Sequence, residues 1–226
     1  MIGIYLIGFL IMAVGMVVSG TLKSKFEKYS RLQLANGMTG KQVAEKMLAD
    51  HGITGVKVIS VKGQLTDHYN PANKTVNLSE SVYSHANAAA AAVAAHECGH
   101  AVQHATAYSW LEFRSSIVPV VSAMSQWLQW VLLAGIVLLQ VFPPLLLVGV
   151  ILLAILALFS IITLPVEYDA SARALSWIKR NRIVNEHEFE ASRDALKWAA
   201  LTYVVAAIGA VATLLYYLSI FLRNRR

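Results

Sequence analysis

The chain has 226 residues, 57% of them apolar and 14% charged, against about 25% charged in ordinary soluble domains, so composition argues against a freely soluble protein and for a membrane one. The formal net charge is +6, but the basic residues stand beside apolar stretches, which membrane topology accounts for better than nucleic-acid binding does. The single cysteine, Cys98, rules out an intrachain disulfide and gives no sign of an oxidising compartment.

In chain order, Ile2–Ser19 is an uncharged apolar run close to the roughly 20 residues that a membrane helix needs. No positive charge precedes it, and Lys23, Lys25, Lys28 and Arg31 follow it. Residues 1–19 therefore read as a retained transmembrane anchor with its N-terminus outside, not as a cleaved signal peptide.

Residues 20–116 form the polar section. Thr39–Asp50 carries Val43, Met47 and Leu48 at helical spacing, with Thr39 placed to cap its start and Gly52 to end it. Val56–Val61 alternates and is rich in β-branched residues, so it reads as a strand ended by Gly63. Thr66–Lys74 is dense in turn residues, and Thr75–Leu78 reads as a second short strand. A hairpin or two-stranded ribbon is the expected result, with Thr75–Leu78 as a candidate edge for main-chain pairing with an extended substrate. The alanine-rich stretch Ser84–Ala107 is predicted helical.

A transmembrane hairpin is expected over 117–164, with spans at 117–141 and 145–164 joined by the uncharged Phe142-Pro143-Pro144. A helical segment, 165–200, follows with Arg173, Lys179, Arg180, Arg182, Arg193 and Lys197, and a last span covers 201–222. The two basic regions flank an uncharged hairpin, which puts 20–116 and 165–200 in the cytoplasm; the basic tail 223–226 stands against that orientation but carries fewer charges.

The chemistry is carried by His96-Glu97-Cys98-Gly99-His100. Residues four apart on a helix lie roughly 40° apart around its axis, so His96 and His100 share a face and can hold one Zn²⁺. Glu97 is offset by about 100°, outside the ligand set but near a water bound there, where a carboxylate can act as general base. Cys98 points away from both histidines and reads as a small buried residue. His104 lies one turn beyond His100, but three consecutive turns of a straight helix cannot easily wrap one tetrahedral ion, and Thr106 stands where a metzincin would have its third histidine. His104 is therefore expected beside the site and not in it. His51, His68, His85 and His187 read as ordinary surface or core residues.

With these residues in hand, the chain resembles the YugP-like membrane-bound neutral zinc metallopeptidases of bacteria over nearly its whole length. The resemblance rests on the N-terminal anchor, on Leu65-Thr66-Asp67-His68-Tyr69-Asn70-Pro71 leading to Asn77-Leu78-Ser79, and on the alanine-rich helix into AAHECGHAVQHA. It also takes in the membrane hairpin, Leu164-Pro165-Val166-Glu167-Tyr168-Asp169-Ala170-Ser171 and the Ala199–Tyr203 entry to the last span. It implies a gluzincin-type site in which His96, His100 and Glu167 bind zinc and Glu97 activates water. Gluzincins often carry an aspartate four residues after the ligand glutamate; here that position is Ser171 and the nearest aspartate is Asp169.

The residues themselves also favour Glu167 as third ligand. A catalytic zinc needs three protein ligands and one open position, and the acidic candidates are Glu112, Glu167, Asp169, Glu186, Glu188 and Glu190. Glu112 is twelve residues beyond His100, about 18 Å along a continuous helix. Glu188-Phe189-Glu190-Ala191-Ser192 nearly repeats the segment around Glu167. The uncharged hairpin, however, returns the chain to the side it left and delivers Glu167 there, behind a long apolar run and Pro165, where a carboxylate needs a partner. Glu188, in a cluster with Glu186 and Glu190, reads instead as a solvated helix start. Asp169 would face away from Glu167 on a helix and is expected only behind the ligands.

The expected protein is thus mainly α: a multi-pass helical membrane protein with a small α+β zincin-like section. Its expected activity is zinc-dependent peptide-bond hydrolysis, most simply as an endopeptidase, with one Zn²⁺ per chain. Its expected partners are a peptide or protein substrate, membrane-associated chains included, and the lipid bilayer, with no nucleic acid. Its expected location is the bacterial plasma membrane with the active site on the cytoplasmic side. The alternative is a non-catalytic membrane scaffold with a structural zinc, but a structural site has no use for a carboxylate such as Glu97 beside its metal.

Overall fold

The computed structural model describes residues 2–224, with side chains from Gly8 onward. The end of the expected basic tail, Arg225 and Arg226, lies outside the described residues. In chain order the elements are α1 (Ile2–Ser30), α2 (Gly40–Asp50), β1 (Lys57–Val61), β2 (His68–Asn70), β3 (Thr75–Ser79), α3 (Glu80–Tyr83), α4 (Ala88–Ala105), α5 (Ser109–Val137), α6 (Pro144–Arg180) and α7 (Glu186–Arg223). The chain divides into two compact units, residues 1–17, 112–164 and 202–226 in the first and 18–111 and 165–201 in the second.

The first unit is helical. Among the described residues four helices, Gly8–Ser30 of α1 with α5, α6 and α7, are long and apolar enough to cross a membrane. At about 1.5 Å per residue, the 37 residues of α6 extend for roughly 55 Å, well beyond a hydrocarbon layer of about 30 Å. Large apolar side chains point outward from these helices, among them Phe9, Leu10, Trp127, Trp130, Leu133, Ile151 and Ile208. Water would oppose such a surface and lipid would not. Between helices, small residues allow close approach: a Cβ on Gly135 would stand 2.8 Å from the Leu146 Cα. The second span was expected at 117–141, but α5 runs from Ser109 to Val137; the prolines at 143 and 144 disfavour helix just before them, and Phe142 N–H instead closes a turn on Leu138 O at 2.7 Å.

The second unit is α+β. Helix α2 starts as predicted, with Thr39 and Gln42 forming a reciprocal capping box, and Gly52 adopts φ +68° just past its end. The sheet differs from the expected hairpin. It has three strands in the order β1-β3-β2, with β1 and β3 parallel and β2 and β3 antiparallel. The strand missed is β2, three residues inside the turn-rich Thr66–Lys74. It carries the chain back so that β1 and β3 can run the same way. Thr75–Leu78 is consequently central and buried; both its edges are paired, and it cannot accept a substrate strand.

The alanine-rich helix begins later than predicted. Residues 80–83 form the short α3, and Asn87 caps α4 by accepting from Ala90 N–H at 2.9 Å. Helix α4 is the centre of the core. Ala88–Ala92, Ala94, Ala95, Cys98 and Ala101 are buried against Val43 and Met47 of α2, Val76 and Leu78 of β3, Trp177 and Ile178 of α6, and Ala191 and Ala195 of α7. Methyl side chains let these elements lie close, and Gly99 permits the closest contact: a Cβ there would stand 2.5 Å from Ala170 O of α6. Backbone meets backbone at that point, and this fixes α6 against the histidine-bearing face of α4.

Candidate metal centre

His96 and His100 lie on α4 and Glu167 on α6, three residues before the Gly99 contact partner Ala170. Among the described residues these three offer ligand atoms within 4.8 Å of one another. Glu167 Oε2 stands 3.3 Å from His96 Nε2 and 3.6 Å from His100 Nε2. Ligand atoms on a tetrahedral zinc with arms of about 2.0–2.1 Å would stand roughly 3.3 Å apart, so the spacing suits that ion. Glu167 is 3% exposed, and its Oε2 has no hydrogen-bond partner. A buried carboxylate oxygen without a partner is costly, and two imidazole nitrogens aimed at the same point describe what would relieve it. The residues fit a zinc ion.

Both histidines are held from behind. His100 Nδ1 is 3.0 Å from Gln103 Oε1, and Gln103 Nε2 donates to Val166 O and to Asp169 Oδ2, both at 2.8 Å. Because the Gln103 amide nitrogen is used as a donor, its oxygen must accept. His100 therefore carries its proton on Nδ1 and presents a lone pair at Nε2. Arg173 Nε donates to Asp169 Oδ2 at 2.6 Å and completes the line. Burial alone would lower the His100 imidazole, but the Glu167 carboxylate beside it and the charge of Glu97 outweigh that and raise it.

Ser171 stands where gluzincins often carry an aspartate, and its Oγ lies 3.1 Å from His96 Nδ1. The hydroxyl takes the orienting place where an aspartate is common, while Asp169 serves His100 through Gln103. Sequence reasoning missed Gln103 altogether. It is three residues past His100, on the same helix face, and that spacing was the signal available.

Glu97 is buried next to the three and outside them. The Tyr69 N–H of β2 donates to its Oε2 at 2.9 Å, so an edge strand positions the carboxylate. Tyr69 Oη in turn lies 2.9 Å from His104 Nδ1, which puts His104 beside the site, as expected. Cys98 is fully buried; its thiol meets Ala44 O at 3.5 Å and burial pushes its pKa up, so it is neither ligand nor nucleophile.

The decoy Glu188 is not solvated. It is 2% exposed, accepts from Ala35 N–H at 2.9 Å and Asn185 N–H at 2.7 Å, and faces an Asn185 side chain that accepts its own N–H at 2.9 Å. It is the far half of a capping box that starts α7 and ties it to the loop after α1. Both its oxygens are engaged in this structural role.

The fold and the centre together define a helical membrane protein with a buried His-His-Glu site next to a glutamate. Residues 4–222 match the family described as "Putative neutral zinc metallopeptidase". The chain is 40% identical over 204 residues, 90% of each protein, to the "Putative membrane protease YugP" of Bacillus subtilis (strain 168). It belongs to this zinc metallopeptidase family. No solved structure matches it.

Proposed function

We propose that this protein is a membrane-embedded zinc peptidase in which His96, His100 and Glu167 hold the ion and Glu97 is the general base. The observation that carries the reading is the unpartnered Glu167 Oε2 facing two Nε2 atoms, with a second carboxylate alongside that takes no part in that trio. When bound, zinc would supply Lewis acidity at the scissile carbonyl and make water more acidic. The remaining steps belong to the chain. Gln103 and Ser171 fix the two imidazoles. The Tyr69 N–H holds the Glu97 carboxylate, which takes the proton of the attacking water and passes it to the leaving amine.

The substrate is a peptide or protein, membrane-associated chains included, cleaved within the chain. The protein crosses the bacterial plasma membrane several times, with residues 20–116 and 165–200 in the cytoplasm.

Metal analysis paired with peptide turnover tests the proposal. Wild-type protein should hold about one zinc per chain. Glu97→Gln should keep it and lose about 10²–10⁴-fold in turnover, whereas His96→Ala and His100→Ala should lose both metal and turnover. Undiminished turnover by Glu97→Gln would overturn the reading.

A further inference from the structure

The second unit carries a cleft of about 620 Å³ between the last turns of α1 and the first turns of α7, away from the metal ligands. Its size falls in the range of roughly 300–1,000 Å³ of small-molecule sites. Lys25 and Lys28 line it from α1, Arg31 from just past the end of α1, and Arg193 and Lys197 from α7; two carboxylates, Glu190 and Asp194, face these five cations. Asp194 is already used. It accepts from Lys25 Nζ at 2.8 Å and from Tyr29 Oη at 2.5 Å, and so joins the two walls. Among the described residues Arg31 pairs with Glu27 of α1 at 2.8 Å and Arg193 with Glu190 of its own helix at 2.9 Å. Exposed pairs of that kind are weak and exchange readily for another anion.

We propose that this cleft binds the phosphodiester headgroup of an anionic phospholipid. Charge sets the class of ligand, since an excess of cations converges on one concave site from two helices. Position along the chain sets the source. The apolar run of α1 ends at Ser19, six residues before Lys25, and that of α7 begins at Leu201, four residues after Lys197. At about 1.5 Å per residue Lys197 and Lys25 stand roughly 6–9 Å from the ends of the two apolar runs, and Arg193, Lys28 and Arg31 roughly 12–18 Å. Headgroup layers are about 5–8 Å thick on each side of the hydrocarbon, so the end of the cleft at Lys25 and Lys197 is at the depth where lipid phosphates lie and the other cations stand just beyond it. Positive charge that served only to orient the chain would need no cavity, whereas basic pockets beside membrane helices bind anionic headgroups.

Full-length protein in neutral detergent would be titrated with short-chain phosphatidylglycerol or phosphatidylcholine, with binding read from the unfolding temperature and from native mass spectra. Phosphatidylglycerol should bind at least tenfold more tightly than phosphatidylcholine. The double variant Lys28→Gln/Lys197→Gln, which leaves the Lys25–Asp194 bridge intact, should bind phosphatidylglycerol roughly thirtyfold more weakly, with phosphatidylcholine binding unchanged and wild-type zinc content. The control Lys57→Gln/Lys62→Gln removes two exposed cations elsewhere and should bind as the wild type does. Equal affinity for the two lipids, or equal loss in the control, would overturn the proposal. Inorganic phosphate that protects as well as phosphatidylglycerol at the same concentration would overturn the lipid source and assign the cleft to free phosphate.

Discussion

Gln103 has no exposed surface and no chemistry of its own, yet it decides which nitrogen of His100 faces the ligand position. Its amide engages three groups, His100 Nδ1, Val166 O and Asp169 Oδ2. Gln103→Leu removes every one of these bonds and leaves the buried His100 Nδ1 without its partner, while Asp169 keeps Arg173. Zinc affinity should fall about 10–100-fold, and stability by about 1–3 kcal/mol, read by metal-competition titration and denaturant unfolding. Normal metal affinity in that variant would mean that the imidazole needs no such support. His96, Glu97 and His100 announce themselves by spacing on one helix. Glu167 could be argued from its place after an apolar run. Gln103 and Ser171 lie three and four residues from a ligand, on the faces that meet, but glutamine and serine at helical spacing are too common to stand out until the two helices are seen in contact.

Helices were legible and the sheet was not, for a physical reason. A helix is a local object, and the capping box at Thr39 and the alanines of α4 act within a few residues of one another. The β1–β3 pairing joins Lys57 to Thr75 and Val61 to Ser79, and β2 is three residues long, so no local pattern encodes either. The contact of α4 with α6 is likewise a matter of one atom. Gly99→Ala would place a methyl 2.5 Å from Ala170 O and force the helices apart. It should cost about 1–3 kcal/mol and weaken zinc binding, because Glu167 is less than one turn from Ala170 on the helix that must move. Glu188→Ala offers the contrast. It strips a cap from α7 and strands the N–H groups of Ala35 and Asn185, so it should also cost about 1–3 kcal/mol, yet the folded protein should keep its full zinc content. Glu167→Ala should lose zinc. Retained zinc in Glu167→Ala with loss in Glu188→Ala would move the centre to the second copy of the motif.

At the scale of the whole molecule, the four described helices long and apolar enough to span a bilayer are interrupted by two polar sections, after α1 and after the apolar part of α6, that belong to the same compact unit, 18–111 and 165–201. Two segments that fold into one unit must occupy the same side of the membrane, and an even number of span-length helices, α5 and α6, separates them in sequence. The fold therefore demands a common side, and the lysine and arginine excess of both segments favours the cytoplasm. The Arg223 end of α7 pulls the other way. The conflict can be resolved by thiol labelling, for which the chain is well suited: its one native thiol, Cys98, is buried and silent. Ser60→Cys on β1 and Arg180→Cys at the end of α6 both present exposed positions. In intact cells both should resist a membrane-impermeant thiol reagent and react only after the membrane is opened. A cysteine at Val141, in the exposed connection between α5 and α6, should react in intact cells. Labelling of the first two with protection of the third would invert the orientation and put the peptidase site outside the cell. Opposite behaviour of Ser60→Cys and Arg180→Cys would contradict the shared unit itself, because the histidines of α4 and the glutamate of α6 could then never meet.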